Sequence, residues 1–295
     1  MSDKSFPDPD AIIIEESGET IKLVTWNLWW KFESYKEREN LILSELQETA
    51  ADIMCLQEVW EEEDESQAKI IADKLGYQYI YGKSFEFDGV AFGNAIISKY
   101  PIQNHQIIMF KADPKKDEKK LFIHAELLYK NSITINVICT HLNYKYEHQP
   151  VRESQVTELM EYISHLQKSK FPVLLCGDFN ADPESDEIKM ITGHKKPINE
   201  TVLRDVWNLT NIGEPGYTWS NENKWAMKTL EYDRRIDYIF SSKAGPKGLG
   251  QPVKSCLIGN KSNDIYPSDH FGILTHLVGI KAVSYTHLRA HETHE

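Results

Sequence analysis

Cysteine is scarce in this chain: four in 295 residues, at positions 55, 139, 176 and 256, none with a second cysteine nearby. That spacing argues against a disulfide framework or a zinc site and reads as small buried thiols in a reducing compartment, so the expected location is cytoplasmic. Long apolar runs are missing as well. No stretch approaches the roughly 18 consecutive apolar residues that a spanning helix needs. The opening MSDKSFPDPD lacks the basic end and apolar segment of an export signal. Positive charge is in deficit, with a formal net charge of −12 and a pI near 5.4. Such a chain gains nothing from bulk counterion release, and the run Glu61, Glu62, Glu63, Asp64, Glu65 repels a phosphate backbone, although a local basic groove remains compatible with this balance. The one basic cluster, KADPKKDEKK at 111–120, is interspersed with acids and reads as a solvated hairpin loop. No serine sits in a G-x-S-x-G setting, and no glycine-rich loop precedes a lysine as a P-loop requires.

What is present is a strand-rich pattern with helices inserted. IKLVTWNL (21–28), ADIMCLQEV (51–59), YQYIY (77–81), GNAIISK (93–99), LFIHAELLY (121–129), SITINVICTHL (132–142), PVLLCGD (172–178), RRIDYIF (234–240) and HFGILTHLV (270–278) read as strands. Helices are expected over 36–50, with Leu43, Leu46 and Ala50 on the packed side, over 66–75 ended by Gly76, over 151–168, and as a short segment capped by Asp182 with Pro183 at its first position. With no internal repeat, residues 20–279 are expected to form one domain of two packed sheets with helices outside, after a flexible segment 1–19. The tail AVSYTHLRAHETHE, with His287, His291 and His294, looks like translated adapter sequence, so 280–295 is taken as non-native or disordered and unrelated to metal binding.

The polar residues fall at strand ends. Asn27 closes the first strand, Glu58 the second and His141 a third; Asp178 and Asn180 follow the run LLCG, Asp237 lies within RRIDYIF, and Asp269 and His270 open the last strand. Each has a bland reading: Asp178 and Asn180 as turn residues, Asn27 likewise, Glu58 as an edge carboxylate, His141 as a core histidine, Asp237 as a partner of Arg234 or Arg235. Their joint placement favours chemistry. Carboxylates with an amide and no Cys/His cluster suit a hard divalent cation, Mg²⁺ or Mn²⁺, with Glu58 as principal ligand. Asp237 with His270 is the pairing in which a carboxylate fixes a ring tautomer, and with no protein nucleophile in view, activated water is the simplest attacking group.

TWNLWW (25–30), LQEVW (56–60), GNAIISKYPI (93–102), THL (140–142), GDFNADP (177–183), RRIDYIF (234–240) and SDHFG (268–272) together resemble the endonuclease/exonuclease/phosphatase superfamily, the DNase I-like phosphoesterases. The resemblance implies a four-layer α/β sandwich with two central, mostly antiparallel β-sheets flanked by helices, and metal-dependent hydrolysis of phosphate esters. It implies Glu58, Asn27 and Asp269 near the metal, His141 on the scissile phosphate, Asp178 and Asn180 positioning or activating water, and Asp237 with His270 as a hydrogen-bonded dyad. Between Asp178 and the dyad as proton acceptor, the unperturbed pKa of histidine favours the dyad.

Trp29, Trp30 and Trp219, the last within GYTWS, are expected to bind substrate, receiving a base, an aromatic leaving group or an acyl chain; packing at the sandwich rim is the alternative. Arg152, one turn before Val156 on a packed stripe, is taken as substrate-binding, with snorkelling to solvent or fixing of loop geometry as the other readings. The charge balance favours a small or lipid phosphoester as substrate of a monomeric enzyme. A nuclease or DNA/RNA end-processing phosphodiesterase is the alternative, and a noncatalytic domain of the same fold the third.

Overall fold

A computed structural model describes residues 19–111, 119–260 and 265–280. The expectations for the flexible segment 1–18, for most of the basic cluster (112–118) and for the tail 281–295 lie outside the described residues. In chain order the elements are β1 (Thr20–Asn27), α1 (Tyr35–Thr49), β2 (Ile53–Glu62), β3 (Glu65–Ser66), α2 (Gln67–Leu75), β4 (Gln78–Phe87), β5 (Val90–Ser98), β6 (Ile102–Met109), β7 (Leu121–Tyr129) and β8 (Ile133–His141). They continue with α3 (Gln149–Ser164), β9 (Leu174–Asp178), α4 (Asp186–Thr192), β10 (Arg204–Asp205), α5 (Val206–Thr210), α6 (Lys224–Met227), β11 (Asp237–Ser241), β12 (Pro252–Ile258) and β13 (Gly272–Val278).

Two sheets result, ordered β12-β13-β1-β2-β5-β4, with β3 on β2, and β10-β11-β9-β8-β7-β6. All pairings are antiparallel except one in the middle of each sheet, β1 with β2 and β8 with β9. A parallel pair needs a crossover, and α1 and α3 supply them. One apolar cluster fills the space between the sheets, a second lies outside the first sheet under α1 and α2, and a third outside the second sheet beneath α3 and α4. This is the expected four-layer α/β sandwich.

The period of two along a strand then places the functional residues. Leu23 of β1 faces the inter-sheet core while Val24 and Trp26 face outward; Cys55, Cys139, Cys176 and Ile239 are the inward residues of β2, β8, β9 and β11. Counting two or four along the same faces reaches Asn27, His141, Asp178 and Asp237, so the polar set is the last inward layer of the core. Gly177 makes the close parallel pairing possible: its φ is +152°, and a Cβ there would stand 2.0 Å from the Thr140 carbonyl oxygen.

Several local expectations are corrected. The packed side of α1 is Arg38, Ile42, Leu46 and Thr49; Ala50 is instead the left-handed C-cap. The acidic run is folded into a tight hairpin, in which Glu61 and Glu62 pair with Ser66 and Glu65. α3 spans 149–164 rather than 151–168, and α4 starts at Asp186 after Ser185, because the Asp182 side chain is drawn off to the Tyr232 hydroxyl and Arg234. β6 and β12 were not anticipated. Both lie toward sheet edges, where polar residues interrupt the apolar pattern that marks a central strand.

Candidate active site

At the carboxyl ends of the two parallel pairs, buried side chains from both sheets converge on Asp178. Its Oδ2 accepts from Asn27 Nδ2 at 3.0 Å and lies 3.5 Å from His141 Nε2 and 3.9 Å from His270 Nε2. Its Oδ1 accepts the Asn180 amide at 2.9 Å. Asp178 and Asn180 therefore form a turn and a site at once, because the bond that turns the chain also orients the carboxylate. Asn180, with φ +49°, directs its Nδ2 to the Leu142 carbonyl at 3.2 Å. Glu58 sits where the β2–β5 register shifts, with φ +53°; the bulge breaks the alternation and turns its carboxylate to within 4.0 Å of His141 Nε2.

Asp237 bonds His270 Nδ1 at 2.9 Å, and neither Arg234 nor Arg235 is its partner: they go to Asp182, Glu231 and Tyr146, and to Asp205 and Asn208. Asp178, Asp237 and His270 offer ligand atoms within 4.8 Å of one another. His270 Nδ1 is bonded to Asp237, which leaves Nε2 as the ring nitrogen open to a metal ion in this group. Asp269 accepts from the Ser268 hydroxyl at 3.3 Å, and the same hydroxyl donates to the Asn27 carbonyl at 2.7 Å.

The electrostatics separate the groups. Burial pushes the Glu58 carboxyl up, with Asp178 adding to it against Lys120 and His270. Burial likewise raises Asp269 to about 7, with Glu58 adding and His270 and Arg38 opposing. Burial would raise Asp178 too, but the two histidine rings, Asn27 and the Asn180 amide hold it below the usual range. His141 is pushed down to about 3 by burial and by Lys120. His270 runs the other way: burial lowers it, but Asp237, Asp269 and Asp178 outweigh that and hold it well above the usual range. The expectation that the dyad removes a proton therefore meets the opposite charge preference, since these acids favour a protonated His270 and leave Asp178 ionised.

The donor set fits a hard cation. Glu58 and Asp269 are carboxylates raised by desolvation, with Asp178 adding to Glu58 and Glu58 adding to Asp269, the situation a bound divalent ion relieves. Asn27 stands beside them, but its amide is engaged at both ends, Oδ1 accepting the Trp29 amide at 3.0 Å and Nδ2 holding Asp178.

Of the expected substrate contacts, Trp29 and Trp219 line the cleft, with the Trp219 ring 4.9 Å from that of His270. Trp30 does not. Its indole nitrogen bonds the Ala91 carbonyl, and its ring packs on Phe32 and Phe92. Arg152 is turned away as well, bonding Glu187 at 2.7 Å and the carbonyls of Asn143 and Lys145 at 3.3 and 2.6 Å.

The sequence reading missed Lys120, buried with Nζ 3.4 and 3.5 Å from the two ring nitrogens of His141, because it sits at the end of a basic stretch that reads as solvated loop. It also missed Arg234 and Tyr146 on the cleft wall, and Arg38, which donates to the carbonyls of Leu28, Trp29, Trp30, Phe32 and Pro267. A signal for Arg38 was available: it lies one turn before Ile42 on the packed face of α1, as Arg152 lies before Val156 on α3. No member of the acidic run 61–65 lines the cleft.

Comparison with known proteins gives a consistent outcome. The profile of the Endonuclease/Exonuclease/phosphatase family matches residues 24–270. The chain is 25% identical to nocturnin from Xenopus laevis over 256 residues, covering 81% of this chain and 64% of that protein. It is 28% identical to human sphingomyelin phosphodiesterase 2 over 213 residues, covering 66% of this chain and 48% of that protein. It thus spans from just under half to just under two thirds of the length of these relatives. Among solved structures, D. rerio TDP2 complexed with a single-strand DNA product aligns with a TM-score of 0.70 at 21% identity, covering 88% of this chain and 98% of that one. The human nocturnin catalytic domain with bound sulfate aligns with a TM-score of 0.69 at 22% identity, covering 87% and 92%. These structural likenesses show the shared fold.

Proposed function

The chain belongs to the endonuclease/exonuclease/phosphatase family, whose members hydrolyse phosphoester bonds, and from that premise we propose that it is a divalent-metal-dependent phosphoesterase using water as nucleophile. The observation that carries this reading is the convergence on Asp178 of Asn27, His141, His270 and the Asn180 amide from both sheets. Glu58 and Asp269 would hold Mg²⁺ or Mn²⁺, which when bound supplies Lewis-acid stabilisation of charge on the phosphate oxygens. Asp178, kept ionised by its neighbours, takes the proton of the attacking water. His270, kept in place by Asp237, and His141, beside Lys120, donate to phosphate oxygens as negative charge grows there.

The acidic charge balance supports a small phosphoester as substrate. The nuclease reading draws support from the aromatic and basic wall of Tyr146, Trp219 and Arg234, and from the similarity to nocturnin. Steep loss of kcat/KM on DNA as salt rises would promote it, because a groove holding many phosphates releases many counterions.

The reading is tested by assaying phosphomonoesters and phosphodiesters with EDTA, Mg²⁺ and Mn²⁺. Activity is expected only with metal, and Glu58→Gln is expected to cut kcat by roughly 10³ or more with an unchanged circular dichroism spectrum. Full turnover in EDTA would refute it.

A further inference from the structure

A cavity of ≈ 270 Å³ lies between α4, β10 and α5 and shares no wall residue with the catalytic cleft. Ile188 and Leu203, from the apolar cluster outside the second sheet, form part of its wall, with Arg204, Asp205 and Asn208 beside them. Two arginines meet one buried acid here. Arg235 donates from Nη1 to Asp205 Oδ2 at 2.7 Å and from Nη2 to Asn208 Oδ1 at 3.1 Å, and its Nε has no acceptor among the described residues. Asp205 is fully used, since its Oδ1 accepts the Trp207 amide at 3.0 Å. Arg204 is left over: its Nε and Nη2 are buried and, among the described residues, have no acceptor and no ion-pair partner. The other acid on the wall, Glu184, is exposed and paired with Lys189 at 3.1 Å.

We propose that Arg204 is the receptor for a small oxyanion, a phosphate or carboxylate group, held in this cavity. The inference goes beyond the hydrolase reading and does not depend on it. Nε and Nη2 lie on one edge of the planar guanidinium, the edge that meets two oxygens of a carboxylate or phosphate at once. Two charged donors kept from water without acceptors are unfavourable, and a chain of net charge −12 has acids to spare, yet none is placed beside them. Water accepts a hydrogen bond but leaves the charge uncompensated; an oxyanion answers both. Arg204 is only half-buried and its side chain makes no bond among the described residues, so its outer torsions can turn that edge to the cavity without breaking one. The volume lies just below the range of sites for drug-sized ligands and suits a small anion with part of its water.

The test is an NMR titration of the ¹⁵N-labelled full chain with sodium phosphate, in EDTA and at constant ionic strength, read on the arginine Nε–H signals. The Arg204 signal, identified by its absence from Arg204→Lys, is expected to shift saturably with a dissociation constant of about 1 mM, the scale of two charge-assisted hydrogen bonds. Arg204→Lys keeps the charge but loses the fork, so binding read on the Asn208 side-chain amide is expected to weaken about tenfold in it. Asn208→Asp, at an exposed position where folding is little at risk, brings one of the chain's own carboxylates to the cavity and is expected to weaken phosphate binding by about tenfold or more. Acetate in place of phosphate distinguishes the sources: weaker binding than phosphate identifies a phosphate group, equal or tighter binding a carboxylate. An Arg204 signal unmoved by both anions, a shift that survives Asn208→Asp undiminished, or phosphate-induced shifts confined to the catalytic cleft overturns the site.

Discussion

The units β1-α1-β2 and β8-α3-β9 are built alike and tuned differently. Each is a parallel pair joined by a helix in the middle of its sheet, and each helix carries an arginine on its packed face that holds the carbonyls of the loop entering it. Arg152 is neutralised by a buried acid, Glu187, at 2.7 Å. Arg38 bonds carbonyls alone, five of them, and the negative charge it meets is first that of Asp269 and Glu58, then that of Glu39 and Glu33. The second arginine thus completes a closed structural pair. The first links the aromatic loop 28–32 to Pro267, two residues before Asp269, and so ties loop geometry to the acids proposed to hold metal.

The largest effects that sharpen this comparison lie where the units meet. Asp237→Asn and His270→Ala are each expected to lower kcat by about 10²–10⁴, and the double variant to be little worse than the worse single, because the pair acts on one step. Barrier increases that simply sum would make the two residues independent.

Next come the clamps. Arg152→Met strands Glu187 as a buried charge and is expected to cost about 3–5 kcal/mol of stability in urea unfolding, most of it recovered by Arg152→Met/Glu187→Leu, with kcat/KM little changed in the folded double variant. Arg38→Met leaves no buried carboxylate without its direct partner. It is expected to cost less, about 2 kcal/mol, because the carbonyls of Trp29, Trp30 and Phe32 are only part-buried and just those of Leu28 and Pro267 lose a buried partner, but to lower kcat/KM more than any Arg152 variant that folds. Equal effects of the two arginines on activity would erase the distinction.

The smallest effect concerns pH. His124 on β7 bonds Tyr162 of α3 at 2.8 Å and Asn136 of β8 at 3.0 Å, whereas the titrating contact of α1 with its sheet is a carboxylate, Glu39 accepting from Trp60 Nε1 at 2.9 Å. Burial lowers the His124 pKa, so the unfolded chain binds a proton more readily than the folded one. Its cost is therefore absent above the unfolded value of about 6.5 and grows as pH falls below it, by at most ~1.4 kcal/mol per pH unit until the folded value is reached. Urea midpoints at pH 7.5 and 5.5 check this: the loss on acidification is expected to shrink in His124→Asn.

The sequence makes one half of the site legible and hides the other. Asn27, His141, Asp178 and Asp237 are readable because strand alternation points them where the apolar residues two or four positions away on the same strand point. Glu58 shares a motif with them, yet only the bulge explains how its side chain reaches the same place. Lys120 and Tyr146 are supplied by long-range folding of segments whose local pattern says loop or surface, and Arg234, at the start of a segment read as strand, is held at the cleft by its backbone bonds to Trp219. Arg152 shows the opposite error: an arginine near the site in sequence whose hydrogen-bonding groups are drawn to Glu187 and a loop. β6 and β12 escaped notice because an edge strand need bury only part of its surface.

The central claim is that the two units form one hydrolytic site through Asp178, and the 3.0 Å bond from Asn27 on β1 to Asp178 on β9 is where it is most exposed. A double-variant cycle on kcat/KM at saturating Mg²⁺ tests it. Asn27→Ala alone is expected to lower kcat/KM by roughly 10²-fold, and the same change in an Asp178→Asn background to have little further effect, since the carboxylate it orients is gone. Undiminished loss from Asn27→Ala in that background would mean that the two sheets contribute independently, and would contradict the account.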